Sequence, residues 1–277
     1  DVFMPYLKEP GFLTGPEPFG TVKTLDHYAD LFADAEGRRA VGEASPIYLP
    51  DPQAPPRIED VLGRDVQILI MLRNPVDMVH SLWSHRVRQA RESLSFQEAI
   101  KQALSAAEGT STESIADRLK VSYPSDATYP YVYQARYSTQ VARYQQRFEA
   151  CTVHIFEDFA TKTEAVYRQT CRFLGVDPTV HPTFDRHNPS GATRSAWARQ
   201  LITGQYGLKN LLKPLFPFKW RKQIKHALVG LNTKPKAKDP LPSGVRQWIA
   251  SLFQEDVEHL ETLLERELRT VWPDFAS

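Results

Sequence analysis

Residues 66–85, VQILIMLRNPVDMVHSLWSH, constrain the fold more than any other stretch of the chain. From Val66 to Leu72 the run is apolar and of strand length, the pattern expected of a strand buried on both faces of a parallel sheet. It ends in Arg73-Asn74-Pro75, where the proline suits the first turn of a helix and Asn74 can cap it. The helix that follows carries Ser81 and His85, four residues apart and therefore on one face. A strand thus delivers an arginine to the carboxyl edge of a sheet, beside a helix N-terminus. Open α/β sheets bind ligands at that edge, and helix N-termini favour anions. The competing reading is an ordinary strand-to-helix junction with a solvated arginine.

The rest of the chain repeats the alternation. Thr24 is placed to cap a helix through Ala35, and Arg39 to Ala44 reads as a short strand. Ile58 to Leu62 reads as a short helix, and Ser95 caps another that runs to about Ala107. Tyr131 to Glu149 has helical spacing, Cys151 to Glu157 is strand-like, and Thr163 to Leu174 is a helix stopped at Gly175. Val245 to Leu268 reads as one amphipathic helix with Trp248, Leu252, Val257, Leu260 and Leu264 inward. This order predicts βαβ units, an α/β class and a parallel sheet, and 277 residues suffice for a single domain over 1–277. Residues 109–130 are rich in Ser, Thr and Tyr without periodicity and read as a long surface loop over a site.

Composition excludes more than it selects. With 34 basic and 33 acidic residues, the net charge of +1 gives no global field to steer nucleic acid or membrane. The basic residues are nonetheless uneven: Lys209 to Lys238 holds nine Lys or Arg and no acid, interleaved with Leu212, Phe216, Phe218 and Trp220. That run, within a peripheral insertion at about 205–240, reads as a solvated face. The sharper alternatives are a contact with a membrane surface or with an acidic partner. Cys151 and Cys171 have neither metal-ligand spacing nor a disulfide framework, which suggests a reducing, cytoplasmic setting. No metal is expected, because no carboxylate pair or His cluster has ligand spacing. A phosphoryl-transfer enzyme of the P-loop type would need G-K-[ST] and a strand-end Asp for magnesium, and neither occurs.

Four further segments carry chemistry. Lys8-Glu9-Pro10, followed by Phe12, lies in a Pro- and Gly-rich loop over residues 1–20. Gly42 to Tyr48, GEASPIY, runs from a strand into a proline turn. Residues 186–195, RHNPSGATRS, form a polar loop in which Gly191 permits close backbone approach and Arg194 can grip an anion, with His187 and Asn188 beside them. The fourth is the Arg73–Ser81–His85 stretch itself. Taken singly, each also reads blandly: Glu9 as a solvated charge, Tyr137 on its helix as a core residue.

Together these segments resemble the PAPS-dependent sulfotransferases, particularly the bacterial and heparan-sulfate type, over nearly the whole chain. The resemblance implies a three-layer α/β/α fold with a central parallel sheet, the P-loop-NTPase-like sulfotransferase fold. It implies that PAPS is the sulfuryl donor and PAP the product. Arg73 and Ser81 match the positions that hold the 3′-phosphate, and Gly191 and Arg194 match a loop that closes over it. Glu9 matches the proposed general base, and His85 matches a functional histidine of the heparan N-sulfotransferases. Lys8, Glu43 and Tyr48 match residues near the acceptor, a carbohydrate or other small metabolite bearing a hydroxyl or amine. Ala44 departs from the lysine common in heparan-type relatives, which weakens kinship in substrate. The family's first strand and its K-x-G-T-T loop for the 5′-phosphosulfate have no counterpart in this sequence, and they are expected to precede Asp1. A non-catalytic module that binds PAP or an anionic glycan is the alternative reading.

Overall fold

The computed structural model describes residues 1–14, 21–89, 91–107, 130–184, 191–193, 233–235 and 241–276. The chain divides into two compact units, one of residues 1–82, 94–183 and 243–277, the other of residues 83–93 and 184–242. The expected surface loop at 109–130 lies outside the described residues except for Pro130. The basic run at 209–238 lies outside them except for 233–235, and the 205–240 insertion with it.

The first unit contains two parallel strand pairs. β1 (Val2–Phe3) pairs with β2 (Ala40–Val41), and β3 (Ile68–Leu72) pairs with β4 (Cys151–Ile155) in the register Ile68–Cys151 to Leu72–Ile155. Parallel strands cannot be joined by a tight turn, so helices fill each crossover. α1 (Leu25–Asp30) lies between β1 and β2. α2 (Ala54–Leu62) leads to β3, and α3 (Pro75–Arg88) leaves it. α4 (Phe96–Ala107), α5 (Pro130–Gln134) and α6 (Tyr137–Gln145) precede β4. α7 (Phe156–Thr161) and α8 (Thr163–Phe173) follow it, and α9 (Ser243–Ser251) with α10 (Gln254–Leu264) closes the unit. The second unit contains the last turns of α3, from Trp83, and an antiparallel pair of β5 (Gly191–Thr193) with β6 (Thr233–Pro235).

Several local expectations hold for the expected reasons. The Asn74 Oδ1 accepts from the Val76 N–H at 2.9 Å, with Pro75 opening α3. Ser95 and Glu98 form a reciprocal capping box at the start of α4. Gly175 stops α8 with φ 68°.

Others are corrected. β3 is not buried on both faces: Ile70 and Leu72 are buried, but Leu69 and Met71 are 39% and 40% exposed. Among the described residues β3 has one partner strand, β4, and one face of the pleat stays open. The helix expected over Tyr131–Glu149 breaks at Ala135–Arg136. The Asp256 carboxylate of α10 takes the N–H groups of Tyr137 (2.7 Å) and Ser138 (3.2 Å), and so caps α6 from a distant part of the chain. The closing helix likewise divides at Leu252–Phe253, where Phe253 turns fully inward. Thr24 caps α1 as expected, through the His27 N–H, but α1 ends at Asp30 and a 3₁₀ turn follows at Ala33–Ala35.

The core of the first unit gathers Phe12, Tyr131, Phe148, Ile155, Phe253, Trp272 and Phe275 around the strand pairs. No described helix is long and apolar enough to cross a membrane.

Candidate active site

Because each pair is parallel, both of its strands release their loops at the same edge, and each edge gathers residues singled out by the sequence.

At the ends of β1 and β2, the chain from Pro10 to Thr14 is buried while Lys8 and Glu9 stand exposed above it. Glu9 is held at φ 52°, a left-handed conformation that costs a non-glycine residue of order 1 kcal/mol or more and persists only where its surroundings impose it. No hydrogen bond or ion pair joins Lys8 or Glu9 to another described residue. Beneath them lies Glu43. Its Oε1 accepts from the Tyr48 hydroxyl at 2.5 Å and from the Tyr28 hydroxyl at 3.4 Å, and its Oε2 accepts from the Ser45 hydroxyl at 2.9 Å. Burial pushes the Glu43 carboxyl above the ordinary glutamate range, and the three hydroxyl donors pull it partly back. Glu43 and Tyr48 are among the residues the sequence singles out. Ser45 belongs to the same GEASPIY segment, whereas Tyr28 sits on α1 with no signal in the sequence that it would meet Glu43.

At the ends of β3 and β4, Arg73 lies over the Phe156 ring with its guanidinium carbon 5.2 Å from the centroid. Its Nη2 is 4.0 Å from the Asp77 carboxylate, and its Nε is buried without a hydrogen-bond partner. Asp77 is drawn away by Arg246, whose Nη1 donates to it at 2.9 Å. The same guanidinium grips both oxygens of Asp274, at 2.5 and 2.6 Å, and Asp274 also accepts from the Asn74 side chain at 2.8 Å. Those bonds, led by Asp274, hold the Arg246 pKa above its ordinary value. Glu157 accepts from the Asn74 N–H and the Trp272 indole at 3.1 and 2.8 Å. The carboxylates around Arg73 therefore have other donors, and Arg73 keeps donor capacity to spare. Arg246, Asp274 and Glu157 had no local signal in the sequence: Arg246 and Asp274 meet Asn74 and Asp77 only through the fold.

Ser81 is half-buried on α3, in the first unit. His85, one turn on, is exposed and belongs to the second unit, where its Nε2 lies 2.6 Å from the Gln89 side-chain nitrogen. Gly191 opens β5, in register with Pro235. Arg194, His187 and Asn188 lie outside the described residues. Among the described residues no group of His, Cys, Asp or Glu could hold a metal ion.

The architecture and these two edges define an α/β protein with an anion-ready arginine at a parallel strand end. No protein-family model and no curated protein matches the chain. Among solved structures, the crystal structure of a sulfotransferase from Alicyclobacillus acidocaldarius is similar to it. The likeness has a TM-score of 0.66 at 28% identity and covers 98% of this chain and 88% of that one. The sulfotransferase domain from the curacin biosynthetic pathway aligns at a TM-score of 0.39 and 13% identity, covering 87% of this chain and 68% of that one, too distant for argument. The likeness to the Alicyclobacillus protein supports an enzyme of the sulfotransferase class and favours it over a non-catalytic binding module.

Proposed function

We propose that the chain is a PAPS-dependent sulfotransferase acting on a hydroxyl or amine of a carbohydrate or other small metabolite. The observation that carries the donor assignment is Arg73: a strand-end guanidinium with a buried Nε lacking a partner, which suits a 3′-phosphate. Ser81 would share that phosphate, and Gly191 and Arg194 would close over it. When bound, PAPS supplies the activated sulfuryl group. Glu9, exposed and without a hydrogen bond or ion pair among the described residues, takes the proton from the acceptor; a positioned general base contributes about 10²–10⁴-fold. His85 is the reserve base or a hydrogen-bond donor to the group in transit. Lys8 faces the acceptor, with Glu43 and Tyr48 beneath it. The free Cys151 and Cys171 favour a cytoplasmic setting. The basic run at 209–238 is an accessory contact for a membrane surface or an acidic partner.

The test is Glu9→Gln, assayed as PAP formed from PAPS with glucosamine as an acceptor offering both hydroxyls and an amine. A loss of at least about 100-fold in turnover with unchanged PAP affinity is expected. Retained turnover would remove Glu9 from the role and make His85 the next residue to change.

A further inference from the structure

The hydroxyls that satisfy Glu43 do not end there. The Ser45 Oγ, while donating to Glu43, accepts the Gly11 N–H at 3.1 Å. The Tyr48 hydroxyl, while donating to the same carboxylate, accepts the Leu13 N–H at 3.2 Å. Each hydroxyl thus relays one buried amide of the 10–14 segment onto one oxygen of Glu43, and bonds aligned in this way strengthen one another in a low-dielectric setting. The third donor adds a packing contact: Tyr28 stacks on Phe12, with ring centroids 4.7 Å apart and planes 25° apart. Arg57 covers Phe12 at 5.3 Å from the ring centroid. The Thr14 hydroxyl closes the turn onto the Gly11 carbonyl at 3.0 Å. Glu9, at φ 52°, stands directly before this clamped segment, and Gly11 within it is at φ 62°.

We propose that Glu43 is a positioning residue, which fixes the loop presenting Lys8 and Glu9 by holding the Gly11 and Leu13 amides through Ser45 and Tyr48. Both carboxylate oxygens are taken up by hydroxyls of this chain, so Glu43 acts on the acceptor through the loop rather than by touching it. The left-handed Glu9 backbone is what such a clamp must impose, since a free loop would relax it. The catalytic half of the inference rests on Glu9 being the base; the clamp itself does not.

Amide hydrogen exchange and PAP formation from PAPS with glucosamine, measured together, separate the two. Ser45→Ala is expected to speed exchange at Gly11, and Tyr48→Phe at Leu13, each about tenfold, the equivalent of one lost hydrogen bond. Both variants should slow PAP formation at saturating substrate with PAP affinity unchanged. Ser45→Thr, which keeps the hydroxyl, should restore both readouts. Unchanged exchange at Gly11 and Leu13 would overturn the clamp. Faster exchange with undiminished PAP formation would overturn the positioning role. If Glu9→Gln retains turnover, the base assignment fails alone, and exchange still decides the clamp.

Discussion

At the ends of β1 and β2 a half-buried carboxylate, Glu43, meets hydroxyls among the described residues, whereas at the ends of β3 and β4 three carboxylates share guanidinium, amide and indole donors. At the first edge the described partners of Glu43 are hydroxyls, and burial raises the pKa of its carboxyl. In the second, Arg246 takes Asp77 and Asp274, which leaves the Arg73 Nε unclaimed. An incoming phosphate would find an unclaimed guanidinium donor at the second edge. In the proposed reading, the cofactor anion goes to the second strand pair and the proton acceptor to the first.

The sharpest way to break this contrast is Arg73→Ala. If Arg73 is the anion's partner, PAP affinity falls by about 2–4 kcal/mol, read by titration calorimetry. Asp274→Ala acts on the same edge through its scaffold. It leaves Arg246 with Asp77 as its remaining described carboxylate and removes the partner of the Asn74 side-chain amide, and since Arg246 is about one-third exposed the expected loss is about 2–3 kcal/mol in urea unfolding. A fall in the urea midpoint too small to register would mean that the network is not what holds α9 to the strand end.

The smallest effect belongs to the other edge. The folded-state pKa of Glu43 lies above its ordinary value, so the native state holds that proton more tightly than the unfolded chain does. The associated stability is full below the ordinary glutamate pKa and is lost as pH rises through the raised one. Glu43→Gln cannot titrate. Its melting temperature should therefore gain on the wild type as pH rises through that window and run parallel outside it. A gap that stays constant with pH would contradict the raised pKa.

Much of this was legible in the sequence where the determinants are local. Asn74-Pro75 after an apolar run, Ser95 with Glu98, and Gly175 after a periodic segment each specify a helix end within a few residues. The motifs around Glu9, Glu43 and Arg73 were equally visible. What was not legible depends on partners distant in the chain. The break between α5 and α6 is set by Asp256, and the separation of Arg73 from Asp77 by Arg246. The apolar run of β3 gave no hint that Leu69 and Met71 would stay open, because periodicity reports side-chain type and not which neighbours arrive.

Calorimetric titration with PAP, against AMP as the control lacking a 3′-phosphate, tests the central assignment most directly. Tight binding of PAP and weak binding of AMP, with the difference abolished in Arg73→Ala, is the predicted result. Equal affinity for the two nucleotides would mean that Arg73 closes an ordinary strand-to-helix junction, and the sulfotransferase reading of this edge would be contradicted.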